Sequence, residues 1–182
     1  MTRGPSRVST GGRVDRSRPV EFSLDGRSMR GFHGDTLASA SLANGVTLIG
    51  RSFKYHRPRG FLSAGSEEPN GLFTLGEGGR REPNIPGTTT YIAEGLSARC
   101  QNGWPSVGLD FMSVNSCVAP LLAAGFYYKT FMGPTRGAWM FYEPFIRRAA
   151  GLGRGSYERD PDRYETRYAL PTCWSSVLAL QA

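Results

Sequence analysis

The sequence predicts an α+β fold: a small set of short strands with one short helix, followed by an extended, aromatic-rich arm with short helices. Three observations point there. Val20, Phe22 and Leu24 alternate with Glu21 and Ser23 just before Asp25-Gly26, which reads as a half-buried strand entering a type I′ hairpin turn. Leu37, Ala38, Ser41 and Leu42 recur at helical spacing behind Asp35-Thr36, two residue types that cap a helix start. Between Phe126 and Phe145, eight of twenty residues are aromatic, a density that regular elements of a small domain do not need.

Taken in order, residues 1–18 are rich in Gly, Ser, Arg and Thr without either period and are expected to form an extended arm. Residues 19–98 are expected to be one domain. Its hairpin pairs Val20–Leu24 with a return strand over Arg27–Phe32. The helix follows, ending at Asn44-Gly45, where glycine takes the left-handed position cheaply. Val46 to Ile49 is apolar and β-branched enough for another short strand, Leu72 to Leu75 for a further one, and GEGG at 76–79 turns the chain back. Hairpin, helix, strand, long loop and strand is the layout of a β-grasp domain, an architecture shared by plant-type ferredoxins and by many binding modules. Fold alone therefore assigns no chemistry.

Residues 99–168 are expected to be a wrapping and linker segment. Pro120, Pro134 and Pro144 prevent one long helix, while RGAWMFYEPFIRRAAG accommodates a short one around Pro144, ending near Gly151. The rings Phe126, Tyr127, Tyr128, Phe131, Trp139, Phe141, Tyr142 and Phe145 exceed what a domain of 80 residues covers. They read either as a satellite core or, the preferred reading, as an arm wrapping another domain or subunit. RGSYERDPDRYETRY at 154–168 is charged and reads as a linker.

Composition bounds the function. The 182 residues suffice for one ordinary domain, no apolar run reaches membrane-spanning length, and the basic N-terminus lacks the apolar core of a secretory signal. A cytoplasmic location is expected. Cys100, Cys117 and Cys173 match neither a disulfide framework nor a metal knuckle. The net charge of +7 comes from twenty arginines and two lysines spread from Arg3 to Arg167. That spread reflects the codon bias of a G+C-rich gene, and no nucleic-acid module accompanies it.

One basic group is dense. RSFKYHRPRG at 51–60 places Arg51, Lys54, His56, Arg57 and Arg59 in ten residues, with Phe53 and Tyr55 between them. These cations could face a dinucleotide pyrophosphate or an acidic patch on a partner. Alternatively the loop is structural, its side chains bonding neighbouring carbonyls and Pro58 fixing the turn. His56 is a poor general base on this reading, because no carboxylate stands near it in sequence. His33 is expected to be a packed or exposed histidine, Glu67-Glu68 a solvated pair, and Cys100 and Cys117 small apolar or surface residues.

RSFKYHRPRGFLSAGSEEPN at 51–70 and GFYYKTFM at 125–132 resemble the N-terminal region of alpha subunits of the heterotetrameric sarcosine oxidase family. GGRVDRSRPVEFSLDGR, GDTLASASLANGV, QNGWPS, YEPFIRRAAGLG and PDRYE are in register with it. The resemblance implies a flavoenzyme of alpha, beta, gamma and delta subunits that oxidatively demethylates sarcosine to glycine with tetrahydrofolate and O2. Its alpha subunit would begin with a ferredoxin-like domain, followed by an NAD-holding dinucleotide-binding domain and a tetrahydrofolate-binding domain. FAD would sit on beta, with FMN near the alpha–beta boundary. Related dehydrogenases hold a [2Fe–2S] cluster in the equivalent domain through a C-x4-C-x2-C spacing, which falls here on Ser63, Glu68 and Gly71. None is a thiolate, so the resemblance implies a β-grasp domain lacking cluster ligands. It places no catalytic, cofactor-binding or metal residue in this chain, and leaves Arg51, Lys54, His56, Arg57 and Arg59 as a contact loop. An isolated chain is expected to be inactive. Two alternatives share the pattern: the N-terminal part of an opine or amine dehydrogenase subunit, and a non-enzymatic basic binding module.

Residues 169–182 depart from the family. Back-translated with G+C-rich codons and read from the third base, LPTCWSSVLALQA encodes a β-strand followed by G-x-G-x-x-G, the turn that brings backbone to a pyrophosphate. The expectation is a frameshifted tail replacing the start of a dinucleotide-binding domain. Resequencing the locus checks it, since a next frame without such a fingerprint overturns it.

Overall fold

The computed structural model describes residues 6–117, 137–149 and 151–162. Phe126, Tyr127, Tyr128, Phe131, Pro120, Pro134, Cys173 and the 169–182 tail lie outside the described residues. Two strands open the domain, β1 (Asp15–Leu24) and β2 (Arg27–His33), and the helix α1 (Leu37–Ala43) follows. A tight ribbon of β3 (Gly50–Arg51) and β4 (Pro58–Arg59) comes next, then β5 (Leu72–Leu75), β6 (Glu82–Pro86) and β7 (Leu96–Cys100). The helix α2 (Ala138–Ala149) lies beyond a short 3-10 turn at Phe111–Ser116.

Five strands form one mixed sheet in the order β2-β1-β7-β5-β6, with β1 and β7 parallel and the other pairs antiparallel. The first hairpin closes as its sequence requires: Leu24 pairs with Arg27, and Asp25 and Gly26 take φ of 51° and 76°, the positive pair a type I′ turn needs. The turn then docks on β7, where Asp25 N–H donates to the Ala98 carbonyl at 3.0 Å and its carboxylate accepts from Cys100 N–H at 2.9 Å.

Val20, Phe22 and Leu24 face inward and meet Leu37, Ala40, Ile49, Phe73, Ile92 and Ala98 in the core. Burying such side chains contributes on the order of 1.5–3 kcal/mol each. Helix α1 is short and depends on its ends. Thr36 and Ser39 form a reciprocal capping box, and the Leu37 and Ala38 amides donate to the Thr90 and Gly87 carbonyls. Its inward stripe differs in one member from the sequence pattern, since Ala40 is buried and Leu42 only partly so.

Three expectations are corrected. Val46–Ile49 forms no strand; pairing is confined to Gly50–Arg51, whose partner is the end of its own loop. Strands β6 and β7 lie where none was foreseen. The charged stretch after Gly151 is no free linker as far as Asp162, because it is clipped to β6 and the turn before it. Asn84 exchanges hydrogen bonds with the Gly153 backbone, and Arg80 forms a forked pair with Asp162 at 2.6 Å through both nitrogens. The N-terminal arm is tethered too, by Arg7 Nη2 donating to the buried Asp35 at 2.6 Å.

Candidate functional site

The ten-residue basic loop is a hairpin, and the turn decides which side chains face in. Gly50 pairs with Arg59 and Arg51 with Pro58, while His56 N–H donates to the Ser52 carbonyl at 2.9 Å and Ser52 N–H to Arg57 at 2.8 Å. His56 must then adopt φ of 51°, a left-handed conformation that costs a residue with a Cβ on the order of 1 kcal/mol. The five expected contact residues separate into two groups. Arg51 and His56 turn inward; Lys54, Arg57 and Arg59 stay outside.

Inside, Arg51 is a clamp. Its guanidinium donates to the carbonyls of Val107 at 2.9 Å and His56 at 3.1 Å. Its own N–H and C=O bind the Asn102 side-chain amide. His56 Nδ1 lies 2.7 Å from Asp110 Oδ2, both side chains being almost fully buried. Asp110 also accepts from the Trp104 and Met112 amides at 3.2 Å and has Arg51 Nε at 3.9 Å. The carboxylate that is lacking near His56 in sequence is brought to it by the fold. Asp110 stands 54 residues along the chain, so no local reading could find it. With Nδ1 engaged by the carboxylate, the other ring nitrogen, Nε2, is buried without a hydrogen-bond partner among the described residues.

Outside, the Tyr55 ring has two cations over it, Lys54 Nζ at 5.0 Å and Arg57 Cζ at 4.9 Å from the ring centre. Cation–π contacts at such exposure stiffen the loop tip by roughly 0.5–1 kcal/mol each. Arg59 is exposed and joins Arg51, Asn70 and Asn102 around a cleft of 390 Å³. On the other side of Asn102, a cavity of 380 Å³ is walled by His56, Trp104, Met112, Phe145 and Arg148. The two hollows bring loop, post-β7 segment and α2 together.

A second polar cluster lies in the loop between β4 and β5. Glu68 is only 5% exposed, against the expectation of a solvated Glu67-Glu68 pair. Its Oε2 accepts from the amides of Leu62 and Ser63 at 2.6 Å each, and Oε1 from Asn70 at 2.8 Å. Burial alone would raise the Glu68 pKa. The amides of Ser63, Asn70, Leu62 and Gly71 outweigh it and hold the carboxyl below its usual range. Asp35 shows the same balance: burial opposes ionisation, while Arg7, the Phe32 amide and Ser39 favour it and prevail. Cys100 is driven the other way, burial and the neighbouring Asp25 pushing its thiol pKa far up, which makes it a poor nucleophile.

Sheet, crossing helix and amide-lined loop define a ferredoxin-like domain, and a family profile described as a 2Fe-2S iron-sulfur cluster binding domain matches residues 17–103. The chain is homologous to the N-terminal region of sarcosine oxidase subunit alpha. It is 58% identical to the protein of that name from Rhizobium meliloti (strain 1021) over 163 residues, 90% of this chain and 16% of that one. It is 41% identical to the subunit alpha from Corynebacterium sp. (strain U-96) over 106 residues, 54% of this chain and 11% of that one. The chain thus spans less than a fifth of the length of these relatives. An L-proline dehydrogenase structure from P. horikoshii overlays 47% of this chain and 16% of its own with a TM-score of 0.36 at 20% identity, a likeness too slight to compare sites.

The residues present do not fit the iron–sulfur group that the profile's description implies. A [2Fe–2S] cluster needs four thiolate or imidazole ligands gathered on two irons. Among the described residues no three His, Cys, Asp or Glu side chains gather as a metal site. Ser63 Oγ is buried and unpaired, a single hard oxygen. A Cβ at Gly71 would stand 2.8 Å from the Phe61 ring and 3.2 Å from Glu68 Cγ, so a ligand side chain there would have to displace the Phe61 ring.

Proposed function

We propose that this chain is the scaffold and subunit-contact region at the start of a sarcosine oxidase alpha subunit, and that it carries none of the reacting groups. The observation that supports this most is identity of 58% extending over 90% of the chain, beyond the ferredoxin-like domain itself. The enzyme as a whole oxidatively demethylates sarcosine to glycine. On this reading NAD, FAD, FMN and tetrahydrofolate are held by other alpha domains and by the beta, gamma and delta subunits, in the cytoplasm.

The chemistry of the site agrees with a contact role. Its one buried acid–base pair, His56 with Asp110, is spent on fixing the hairpin to the segment after β7. Its exposed groups are of the kind interfaces use: Arg57 and Arg59 on the loop, and Met140, Phe141 and Phe145 on α2, each 65% exposed or more. Aromatic and arginine side chains dominate interface energetics.

The test is co-expression of the chain with tagged beta, gamma and delta subunits. Co-purification is expected, and the double variant Arg57→Glu, Phe141→Asp is expected to weaken it at least tenfold while leaving the circular dichroism spectrum unchanged. Retention on DNA that falls with salt, without flavoprotein capture, would instead mark a basic binding module.

A further inference from the structure

We propose that Glu68 is a built-in anion that occupies the centre of the 61–71 loop, and that the loop is wound on this carboxylate. The loop has no regular backbone pairing of its own between β4 and β5. Amides that neither helix nor sheet satisfies must find another acceptor when buried. Here those of Leu62, Ser63 and Asn70 converge on two oxygens of one side chain. Successive amides pointing into one concavity make an anion site, and in this chain the anion is covalently supplied.

Three further features support the assignment. The Glu68 side chain is shielded from water, yet among the described residues no Lys or Arg is paired with it, and backbone amides hold the charge. The Phe61 ring packs on Phe73 at 6.3 Å and closes the loop against the core. Gly71 has no room for a Cβ, because Phe61 and Glu68 Cγ fill that space. Glu67, adjacent in sequence, is exposed, so the position and not the residue type selects the plug. Thr88 Oγ1 ties the far side of the loop by donating to the Gly65 carbonyl at 2.7 Å.

A site filled by its own side chain can be emptied. Glu68→Ala removes a group equivalent to acetate and leaves the amides in place. In the full 182-residue chain this variant is expected to melt roughly 5–15 °C below the parent. Acetate at tens of millimolar is expected to restore at least half of that loss, while matched chloride restores little and acetate leaves the parent's melting temperature unchanged. Glu68→Gln, of the same shape with one donor group too many, is expected to melt below the parent and to gain nothing from acetate. A Glu68→Gln variant as stable as the parent, or a folded Glu68→Ala variant indifferent to acetate, would overturn the proposal. A measurement without any variant guards against failure to fold. Anaerobic incubation of the parent chain with ferrous iron and sulfide is expected to leave no protein-bound iron and acid-labile sulfide. Stoichiometric uptake of both would overturn it.

Discussion

Glu68, Asp35 and Asp110 are three buried carboxylates satisfied in three ways: by backbone amides, by an arginine from the N-terminal arm, and by a histidine. For Glu68 and Asp35 the folded-state pKa lies below the unfolded value, so their contribution is present above that value and lost as pH falls through the lower, folded one. The melting-temperature gap between the parent and Glu68→Gln is therefore expected to be full at pH 7 and to close as pH drops below the ordinary glutamate value of 4.5. A gap that widens in acid would contradict the assigned hydrogen bonds. Asp110→Asn keeps the shape but takes the negative charge from Arg51 and His56. It is expected to cost about 2–4 kcal/mol in urea unfolding, since the Arg51 guanidinium and the His56 ring lose the carboxylate that faces them. Residues of this kind were the least legible in the sequence. Glu68 looks like half of a surface pair, and the partner of His56 is 54 positions away.

At the scale of elements, local chemistry and pairing divide the work. The Asp25-Gly26 turn and the Thr36 cap are set by residues within four positions, and both were readable. Thr36→Ala is expected to lower stability by about 1 kcal/mol, or some 4–8 °C in melting temperature. Ser39→Ala is expected to add a further loss when combined with it, because Ser39 Oγ accepts from the Thr36 amide and donates to Asp35, bonds the Thr36 hydroxyl does not make. Strands β6 and β7 escaped for different reasons. β6 carries Pro83 and Pro86, which the pattern rules read as breakers although an edge strand tolerates them. β7 does alternate, with Leu96 and Ala98 inward and Ser97 and Arg99 outward, and that signal in five residues was available. Val46–Ile49 has strand composition, but only Ile49 bonds across to the loop, its N–H donating to the Arg59 carbonyl at 3.0 Å. Gly87→Ala would drive a methyl into the fully buried Phe73 ring. A loss of about 1–3 kcal/mol is expected in thermal or urea unfolding.

Across the whole molecule, the segments that flank the sheet are held by it. Arg7 reaches Asp35 from one end, while Asn84, Arg81 and Arg80 hold residues 153–162 from the other. Asn84 is the central clip, with φ of 62° and hydrogen bonds to Gln101 as well as Gly153. Asn84→Ala is expected to speed limited proteolysis between residues 151 and 162 severalfold, with the sheet's spectrum intact; an unchanged cleavage pattern would show that Arg80 and Arg81 suffice. What the sequence by itself determined was the class of domain, the first hairpin, the capped helix and the want of cluster thiolates, because each depends on residue type at short spacing. What only the tertiary structure decided was the inward turn of Arg51 and His56, the plug at Glu68 and the docking of the charged stretch on β6. Those depend on which distant groups the sheet brings within hydrogen-bonding range, and a short-range force between distant positions leaves no periodic mark along the chain.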